Sequence, residues 1–563
     1  MISNKEGLEH LTQLFLREGI CDMVISPGSR NAPMMLTFPE YKAFNIYSII
    51  DERSAGFFAL GLAQKSNKPV LLNCTSGSAL LNYAPAIAEA YYQKIPLIVL
   101  SADRPKHLID QGDGQCIRQE NIFTNYIRKS VQLSEDPISN GLIEHYQQMI
   151  LESIFASQYP VCGPVHINVP LAEPIYNTKE KESLSLLPQK RPLEILKPAN
   201  IKDLEQLWLQ AQKKMIIVGQ HIPNQSFSLL LQELIKSQDV IVLYETTSNI
   251  SQLNGIGCID ATLSQIKAEN ENKSLPDLII SLGEQVVSKK VKAWLREQKG
   301  FKHWFVNMDS KPMDTYFQLS QHVQTTDEIF LKLLLKFPTK DRPKTYQDHW
   351  IAMREKAQKQ HHTFLEKVIF SDLYVFNQLH KSIPKEAINL HFANSTAIRY
   401  SQFFKFSAKH IINGNRGVSG IDGSTSTALG ASQKNQMLTC LITGDISFFY
   451  DSNALWNKYL HANFRIIIIN NAGGGIFRFI QGPASSAHLD LFETTHKRNA
   501  KRIALDASME YESVDNKEDL QKALNLFFKK SKKAKILEIF TPKELNAAVL
   551  KDYFRFLKSL TAR

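Results

Sequence analysis

A carboxylate and an amide are spaced so that two neighbouring strands could bring them together. Asp445 follows an apolar run and Gly444, and Asn471 ends the next apolar run, about one strand–helix–strand unit further along. Consecutive strands of a parallel sheet end at the same edge, so both side chains can reach one hard cation. The following Gly473 to Gly475 would let main-chain groups approach a diphosphate closely. The pattern predicts a Mg²⁺ and diphosphate site; a helix-capping Asp and an Asn-rich turn are the alternative explanation.

A second candidate is Glu52, which follows an apolar run and opens a helical pattern rich in glycine and alanine. A partly desolvated carboxyl has a raised pKa and can share a proton with a ring nitrogen. The alternative is that Asp51 and Glu52 only compensate the positive end of the helix dipole. The small-residue turn at residues 74–82, with Thr75, Ser76 and Gly77, suits a flat ring or a phosphate, although many α/β turns look alike.

These residues must be positioned by apolar runs of strand length that alternate with helical patterns along the chain. Continuous runs rich in Ile, Leu and Val are typical of parallel strands covered by helices on both faces. The predicted fold class is α/β, with three tandem doubly wound, mainly parallel-sheet domains at residues 1–180, 198–340 and 365–563. A polar linker (177–197), a helical connector (346–367) and a C-terminal helix (545–560) complete the prediction. The predicted strands lie at residues 22–26, 45–50, 70–74, 96–101, 165–169, 215–218, 240–244, 278–282, 304–307, 388–393, 410–413, 438–443, 464–470 and 536–540.

Composition excludes several classes of function. With 43% hydrophobic and 21% charged residues, the 563-residue chain resembles an ordinary soluble globular protein, and its longest apolar runs are far below the roughly 18 residues of a membrane span. The net charge of +11 is not gathered into a basic stripe, so nucleic acid is not an expected partner. The six scattered cysteines include no C-x-x-C pair, which argues against a disulfide framework or zinc site. The N-terminus lacks a signal-peptide pattern, and a cytoplasmic location is predicted.

The spacing of Gly444-Asp445 and Asn470-Asn471 resembles the fingerprint of thiamine diphosphate (ThDP) enzymes, in which GDG is followed by NN. Ile446 departs from the last glycine of that fingerprint, and Ala472 stands where many relatives have a third asparagine. Other segments resemble the menaquinone-pathway 2-succinyl-5-enolpyruvyl-6-hydroxy-3-cyclohexene-1-carboxylate (SEPHCHC) synthases, from the N-terminus to about Phe479 and only thinly in the middle domain. These segments are ISPGSRNAP (25–33), SADRP (101–105), QCIRQ (115–119) and NRGVSGIDG (415–423).

The resemblance implies a transferase that uses ThDP and Mg²⁺ or Mn²⁺ to decarboxylate 2-oxoglutarate and add the resulting succinyl unit to isochorismate. Glu52 would contact N1′ of the aminopyrimidine and act catalytically, Ile421 would support the bent cofactor, and Asp445, Asn471 and the main chain of Gly473 would bind the metal. The cofactor-binding residues implied are Glu52, Thr75, Ser76, Gly77, Ser419, Ile421, Gly444, Asp445, Asn471, Gly473 and Ile476.

Both implied substrates are polyanions, and guanidinium groups bind carboxylates through paired hydrogen bonds. For each arginine taken alone, a surface ion pair is the alternative. The substrate-binding residues implied are Ser29, Arg30, Arg104, Gln115, Lys289, Ser395, Arg399, Arg416, Ile476 and Phe477, and Arg118 lies in one of the matching segments.

The resemblance also implies a homodimer or homotetramer with active sites at the subunit interface, where Glu52 and Asp445 come from different chains. One rival is another ThDP enzyme, such as an acetolactate-synthase-like carboligase or a 2-oxoacid decarboxylase, whose monoanionic donors would need fewer arginines. Another rival is an inactive relative that serves as a polyphosphate-binding or regulatory module. The presence of Glu52, Asp445 and Asn471 together argues against an inactive relative.

Overall fold

The computed structural model describes residues 1–188, 200–250, 253–339, 343–434, 436–480 and 482–559. The chain forms two compact units. The first comprises Met1–Leu193, Asn415–Thr439 and Phe448–Phe464, and the second Glu194–Gly414, Cys440–Ser447 and Arg465–Arg563. The predicted linker lies outside the described residues from 189 onwards, as does Leu560 of the predicted C-terminal helix.

The N-terminal part of the first unit contains a six-stranded sheet in the order β3-β2-β4-β5-β7-β6, in which the recorded strand pairs are parallel. Every residue of β2, β4, β5 and β7 is buried, as expected for strands with helices on both faces. A separate antiparallel pair joins β1 to β8. The strands are β1 (Ile2–Ser3), β2 (Asp22–Ile25), β3 (Asn45–Ser48), β4 (Val70–Cys74), β5 (Leu97–Asp103), β6 (Ser130–Gln132), β7 (Val165–Pro170) and β8 (Thr178–Lys179), and the helices are α1 (Leu8–Arg17), α2 (Ala32–Thr37), α3 (Glu52–Ser66), α4 (Ser78–Asn82), α5 (Ala84–Gln93) and α6 (Ile143–Ala156).

The helical stretch between β4 and β5 is interrupted. Two helices, α4 and α5, occupy this stretch and meet at Tyr83. Pro85 is the second residue of α5. Proline has no N–H to continue a preceding helix but fits the first turn of a new one, which explains the break.

The middle sheet, in the second unit, has the order β10-β9-β11-β12-β13 with all pairs parallel. Two apolar clusters contain alternate residues of β9, for example Ile216 in one and Ile217 in the other, so both faces of the sheet are covered. The strands are β9 (Lys214–Val218), β10 (Val240–Tyr244), β11 (Leu278–Leu282), β12 (Lys302–Val306) and β13 (Leu319–Val323), and the helices are α7 (Ile201–Gln210), α8 (Gln225–Ser237), α9 (Ile259–Leu263), α10 (Glu271–Ser274), α11 (Lys289–Glu297), α12 (Asp327–Leu334) and the connector α13 (Thr345–Lys367).

The third sheet has the order β15-β14-β16-β17-β19-β18 and lies largely in the second unit. Its central neighbours β16 and β17 end next to the candidate metal ligands. The strands are β14 (Ile388–Phe392), β15 (Ile411–Asn413), β16 (Leu438–Gly444), β17 (Phe464–Asn470), β18 (Glu510–Val514) and β19 (Lys535–Phe540), and the helices are α14 (Asp372–Ser382), α15 (Thr396–Ser401), α16 (Ser424–Ser432), α17 (Asp445–Tyr450), α18 (Leu489–Glu493), α19 (Lys501–Asp506), α20 (Lys517–Phe527) and α21 (Lys543–Ser559). The predicted α/β class with three mainly parallel sheets is confirmed.

Helices α3 and α16 pack at very short range within the first unit. A Cβ atom on Gly61 would lie 2.0 Å from the main-chain oxygen of Thr427, and one on Gly430 would lie 2.1 Å from that of Phe58. Each helix therefore needs glycine where the other's backbone crosses it. This contact packs α3, the helix that begins at Glu52, directly against α16.

Candidate functional site

The end of β16 and the end of β17 bring Asp445 and Asn471 to one edge of the third sheet. Both side chains are buried. The N–H of Gly473 donates to Oδ2 of Asp445 at 2.9 Å, so the carboxylate and the glycine loop are in direct contact. The predicted convergence of carboxylate, amide and glycine loop is therefore present in the second unit.

In the side-chain amide of Asn471, the nitrogen has a hydrogen-bond partner and the oxygen has none among the described residues. Its Nδ2 donates to Oδ2 of Asp372 at 3.3 Å, whereas its Oδ1 is buried with no hydrogen-bond partner among the described residues. An open amide oxygen two residues before Gly473, whose N–H binds Asp445, is suited to a hard cation such as Mg²⁺. The described residues contain no cluster of three His, Cys, Asp or Glu side chains that could hold a metal, so such a cation would depend on this mixed oxygen set.

The glycine loop is held by a segment that the sequence left without an assigned role. The main-chain oxygen of Glu493 accepts from the N–H of Gly474 at 2.8 Å, and its buried carboxylate pairs with Arg478 through two nitrogens. His496 follows, with Nε2 3.3 Å from Oδ2 of Asp445. The segment after Phe479 therefore fixes the backbone of the candidate cofactor loop, which motif matching alone did not reveal.

A cavity of about 380 Å³ lies in the second unit and is lined by four cationic side chains, those of Lys289, Lys290, Arg399 and Lys551. Ile476, just beyond the glycines, forms part of its wall together with Lys289, Lys290 and Arg399. Nε of Arg399 is buried and has no hydrogen-bond partner among the described residues. The remaining wall is largely apolar, with Phe403, Phe479, Ile480 and Phe554. Such a cavity suits a small ligand that carries carboxylates.

Lys290 and Asp260 are among the polar residues of this cavity that were not predicted from the sequence. Burial lowers the pKa of Lys290 to about 8, although the charge of Asp260 opposes the shift. The Lys290 ammonium lies 3.0 Å from the ring centroid of Phe554, and Asp260 accepts a hydrogen bond from Ser288. The only available signal for Lys290 was its position next to Lys289, and nothing in the sequence pointed to Asp260.

The other predicted substrate residues of the second unit have different surroundings. Ser395 precedes α15 with a φ of 67°, a left-handed conformation that places it at the start of the helix bearing Arg399. Phe477 is absent from the wall of the cavity and packs instead on Phe492, with 5.6 Å between ring centroids.

In the first unit, Glu52 is the first residue of α3 and is half-buried. The helix cap is supplied by its neighbour, since Oδ1 of Asp51 accepts from the N–H of Ser54 at 3.1 Å. Burial raises the pKa of Glu52 and the negative charge of Asp51 raises it further. Because Asp51 caps the helix, the carboxyl of Glu52 is not used for capping. With its raised pKa, this carboxyl is suited to exchange a proton.

The turn after β4 meets two loops that contain predicted substrate residues. Gly77 has a φ of +86°, and a Cβ atom there would lie 2.5 Å from Oε1 of Gln115, so only glycine fits. Its N–H donates to Oε1 of Gln119 at 2.8 Å. The hydroxyl of Thr75 accepts from the N–H of Arg30 at 3.2 Å, while Ser76 is buried. Gln119 belongs to a segment that matched the family, but its supporting role emerged only from the structure.

The arginines of the first unit differ in their surroundings. Arg30 is buried and pairs with Glu173 at 2.9 Å, and Arg104 donates twice to the main-chain oxygen of Gly114. Arg118 is 82% exposed and pairs with Asp110, which fits the surface ion-pair alternative. The exposed Ser29 directly precedes Arg30.

A buried carboxylate supports the loop that contains Arg416, Ser419 and Ile421. Glu89 accepts from the main-chain N–H groups of Gly417 and Val418 at 2.7 and 2.6 Å. Arg416 is itself buried, and Ser419, with a φ of 68°, donates to its main-chain oxygen. Ile421 remains 39% exposed, which leaves its side chain able to contact a ligand.

Three family models together match most of the chain. They are described as the N-terminal binding domain (residues 5–122), the middle domain (188–390) and the C-terminal binding domain (394–539) of thiamine pyrophosphate enzymes. The last of these contains Asp445, Asn471 and Arg399.

The chain is similar over nearly its whole length to curated SEPHCHC synthases. It is 43% identical to that of Christiangramia forsetii, covering 97% of this chain and 98% of the relative. The chain belongs to the SEPHCHC synthase family. Other members include those of Flavobacterium psychrophilum (40% identity, 99% and 97% coverage) and Porphyromonas gingivalis (39% identity, 99% and 98% coverage). The family resemblance predicted from the motifs is thus confirmed.

The fold of this SEPHCHC synthase family member also resembles a solved structure. The benzoylformate decarboxylase of Polynucleobacter necessarius has a TM-score of 0.70 and 16% identity, with coverage of 96% of this chain and 99% of the other. At that identity the likeness supports the fold, and the choice of substrate must be argued from the site.

Proposed function

We propose that this protein is a SEPHCHC synthase of menaquinone biosynthesis, which decarboxylates 2-oxoglutarate and adds the resulting succinyl unit to isochorismate. The observation that carries the proposal is the cavity in which Arg399, Lys289 and Lys290 share a wall with Ile476 of the glycine loop. The cationic groups thus lie in one cavity with Ile476, a residue proposed to contact the cofactor. The full-length similarity to curated SEPHCHC synthases supports the same activity.

The cofactor proposed for this site is ThDP with Mg²⁺ or Mn²⁺. Asp445, Asn471 and the main-chain oxygen of Gly473 would hold the metal, and the open Oδ1 of Asn471 supports this fit. Bound ThDP would supply the electron sink for decarboxylation. Glu52 would hold a proton at N1′ of the aminopyrimidine, a role that its raised pKa supports. The remaining proposed cofactor contacts are Thr75, Ser76, Gly77, Ser419, Ile421, Gly444 and Ile476.

The substrates proposed are polyanions, and the chain's own residues would bind and orient them. In the second unit, Arg399 and Lys289 would bind carboxylates while Phe403 and Phe554 exclude water from the cavity. Low local polarity strengthens each charge-assisted hydrogen bond. The further substrate contacts proposed are Ser29, Arg30, Arg104, Gln115, Ser395, Arg416, Ile476 and Phe477.

We further propose that the active protein is a homo-oligomer, a dimer or a tetramer, in which Glu52 of one subunit serves the same site as Asp445 of another. Mixed oligomers of inactive Glu52→Gln and Asp445→Ala subunits should then regain activity, because one of the two hybrid sites would contain both wild-type residues. Each variant mixed with itself is the control. An active monomer in sedimentation, or no recovery in verified mixed oligomers, would contradict this assembly.

The division into a pyrimidine-binding domain (1–180), a central domain (198–340) and a diphosphate-binding domain (365–563) is likewise proposed. It is supported by the three sheets, each of which lies inside one of these ranges. No helix among the described residues is long and apolar enough to cross a membrane. The cytoplasmic location inferred from the sequence stays a prediction.

The proposed activity is tested by comparing 2-oxoglutarate with pyruvate as donor. CO₂ release is measured with ThDP and Mg²⁺, in the presence and absence of isochorismate. A SEPHCHC synthase should prefer 2-oxoglutarate, whereas preference for pyruvate would favour an acetolactate-synthase-like or decarboxylase activity.

A further inference from the structure

Behind the proposed metal ligand Asn471 lies a buried carboxylate, Asp372, that has no role in the proposed reaction. Asp372 is the first residue of α14, is 1% exposed, and belongs to the same unit as the metal loop. Four hydrogen bonds join it to its surroundings. Oδ1 accepts from Thr541 Oγ1 at 2.6 Å and Asn546 Nδ2 at 2.9 Å, Oδ2 accepts from Asn471 Nδ2 at 3.3 Å, and its own N–H donates to Asn546 Oδ1 at 2.8 Å.

This network determines which way each amide faces. The main-chain N–H of Asp372 can only donate, so it fixes Oδ1 of Asn546 towards it and leaves the Nδ2 of Asn546 as a donor. That donor requires an acceptor on Asp372, and an ionised carboxylate accepts at both oxygens. The second oxygen therefore requires the NH₂ end of Asn471, which turns Oδ1 of Asn471 away from Asp372.

The freed Oδ1 of Asn471 is the buried oxygen without a partner among the described residues. Gly475 packs on the same amide, and a Cβ atom there would lie 2.9 Å from Nδ2 of Asn471. The glycine thus leaves room for the amide in this orientation, while the carboxylate of Asp372 selects it.

We propose that Asp372 is a positioning residue that presents the carbonyl oxygen of Asn471 to the divalent cation. The inference rests on the proposed cofactor site. An asparagine at position 372 would have the same shape but would place an NH₂ group opposite the NH₂ group of Asn471. The least costly relief is a rotation of the Asn471 amide, which would point a donor at the cation and remove one metal ligand.

The test measures metal binding directly, with Mn²⁺ as the probe. Free Mn²⁺ is quantified by electron paramagnetic resonance in the presence of saturating ThDP, for wild type and variants. Asp372→Asn should bind Mn²⁺ at least tenfold more weakly. The double variant Asp372→Asn/Asn471→Asp exchanges donor and acceptor between the two positions, and it should restore affinity to within about threefold of wild type.

The matched control is Thr541→Val, which removes one hydrogen bond to Asp372 without changing what faces Asn471. It should lower the thermal stability of the metal-free protein and leave Mn²⁺ affinity within about threefold of wild type. If Asp372 had a purely structural role, Mn²⁺ affinity would instead fall in every variant whose thermal stability falls, including Thr541→Val.

Wild-type affinity in Asp372→Asn would overturn the positioning role and leave the proposed function intact. If Asp372→Asn does not fold, the double variant decides alone: Mn²⁺ binding supports the role and absence of binding in a folded double variant overturns it. Failure of the wild type itself to bind Mn²⁺ with ThDP would overturn both the positioning role and the proposed cofactor.

Discussion

Arg399 offers the sharpest test of substrate recognition. Its position in the cavity determines how much binding free energy a carboxylate gains by pairing with it. Its guanidinium lines the apolar-walled cavity, and Nε is buried without a partner among the described residues. Loss of one partner from a buried charged pair typically costs about 2–5 kcal/mol. At about 1.4 kcal/mol per tenfold change, Arg399→Ala should lower kcat/KM roughly 30- to 4,000-fold.

The assay is steady-state kinetics with 2-oxoglutarate and isochorismate varied separately. The KM of the substrate whose carboxylate faces Arg399 should rise, while the affinity for ThDP should stay within a few fold of wild type. Arg399→Lys should recover only part of the loss, because an ammonium cannot reproduce the two-pronged geometry of guanidinium. Unchanged kinetics for both substrates in Arg399→Ala would refute a substrate-binding role for this side chain.

Three further predictions concern the first unit. Glu52→Gln should retain ThDP binding and lower turnover by orders of magnitude, measured by calorimetry and CO₂ release, since only the proton relay is lost. Burial raises the pKa of Glu52, so the folded state binds this proton more tightly than the unfolded chain. The free energy of unfolding therefore falls as the pH rises past the ordinary glutamate pKa. The melting temperature of Glu52→Gln should fall less than that of wild type over the same rise in pH. Gly61→Ala should destabilise the protein by about 1–3 kcal/mol or more, because its Cβ meets the Thr427 backbone, whereas Gly114→Ala, with open space around it, should not. A melting temperature for Gly61→Ala equal to that of Gly114→Ala would contradict the close packing of α3 and α16.

The sequence was sufficient to predict the longer buried strands, because a strand covered on both faces is apolar at most positions. β17 (FRIIIIN) was predicted with its observed bounds. The edge strands β13 (LSQHV) and β18 (EYESV) were missed, because only part of each is buried and their residues are mostly polar. An edge strand is partly exposed to solvent because of its position and therefore contains polar residues. Apolar runs in the sequence do not reveal such a strand.

The residues of the candidate site also fall into two groups, those that could be predicted from the sequence and those that could not. Asp445, Asn471 and the glycines after them stand at strand ends, so their convergence could be predicted from the order of the strands. Residues that act through contacts distant in sequence could not be predicted this way. Glu89 supports a loop more than three hundred residues away, and Asp372 reaches Asn471 across 99 residues of chain. Such partners have no local pattern, because their role depends on hydrogen bonds that only the folded chain creates.

The central claim is tested most directly by the product of the complete reaction. Purified protein is incubated with ThDP, Mg²⁺, 2-oxoglutarate and isochorismate, and the mixture is followed by mass spectrometry and CO₂ release. We predict SEPHCHC and CO₂ in equal amounts, with neither formed when ThDP is left out. Release of CO₂ without SEPHCHC in the presence of isochorismate, or formation of a carboligation product from pyruvate in preference to 2-oxoglutarate, would contradict the proposed function.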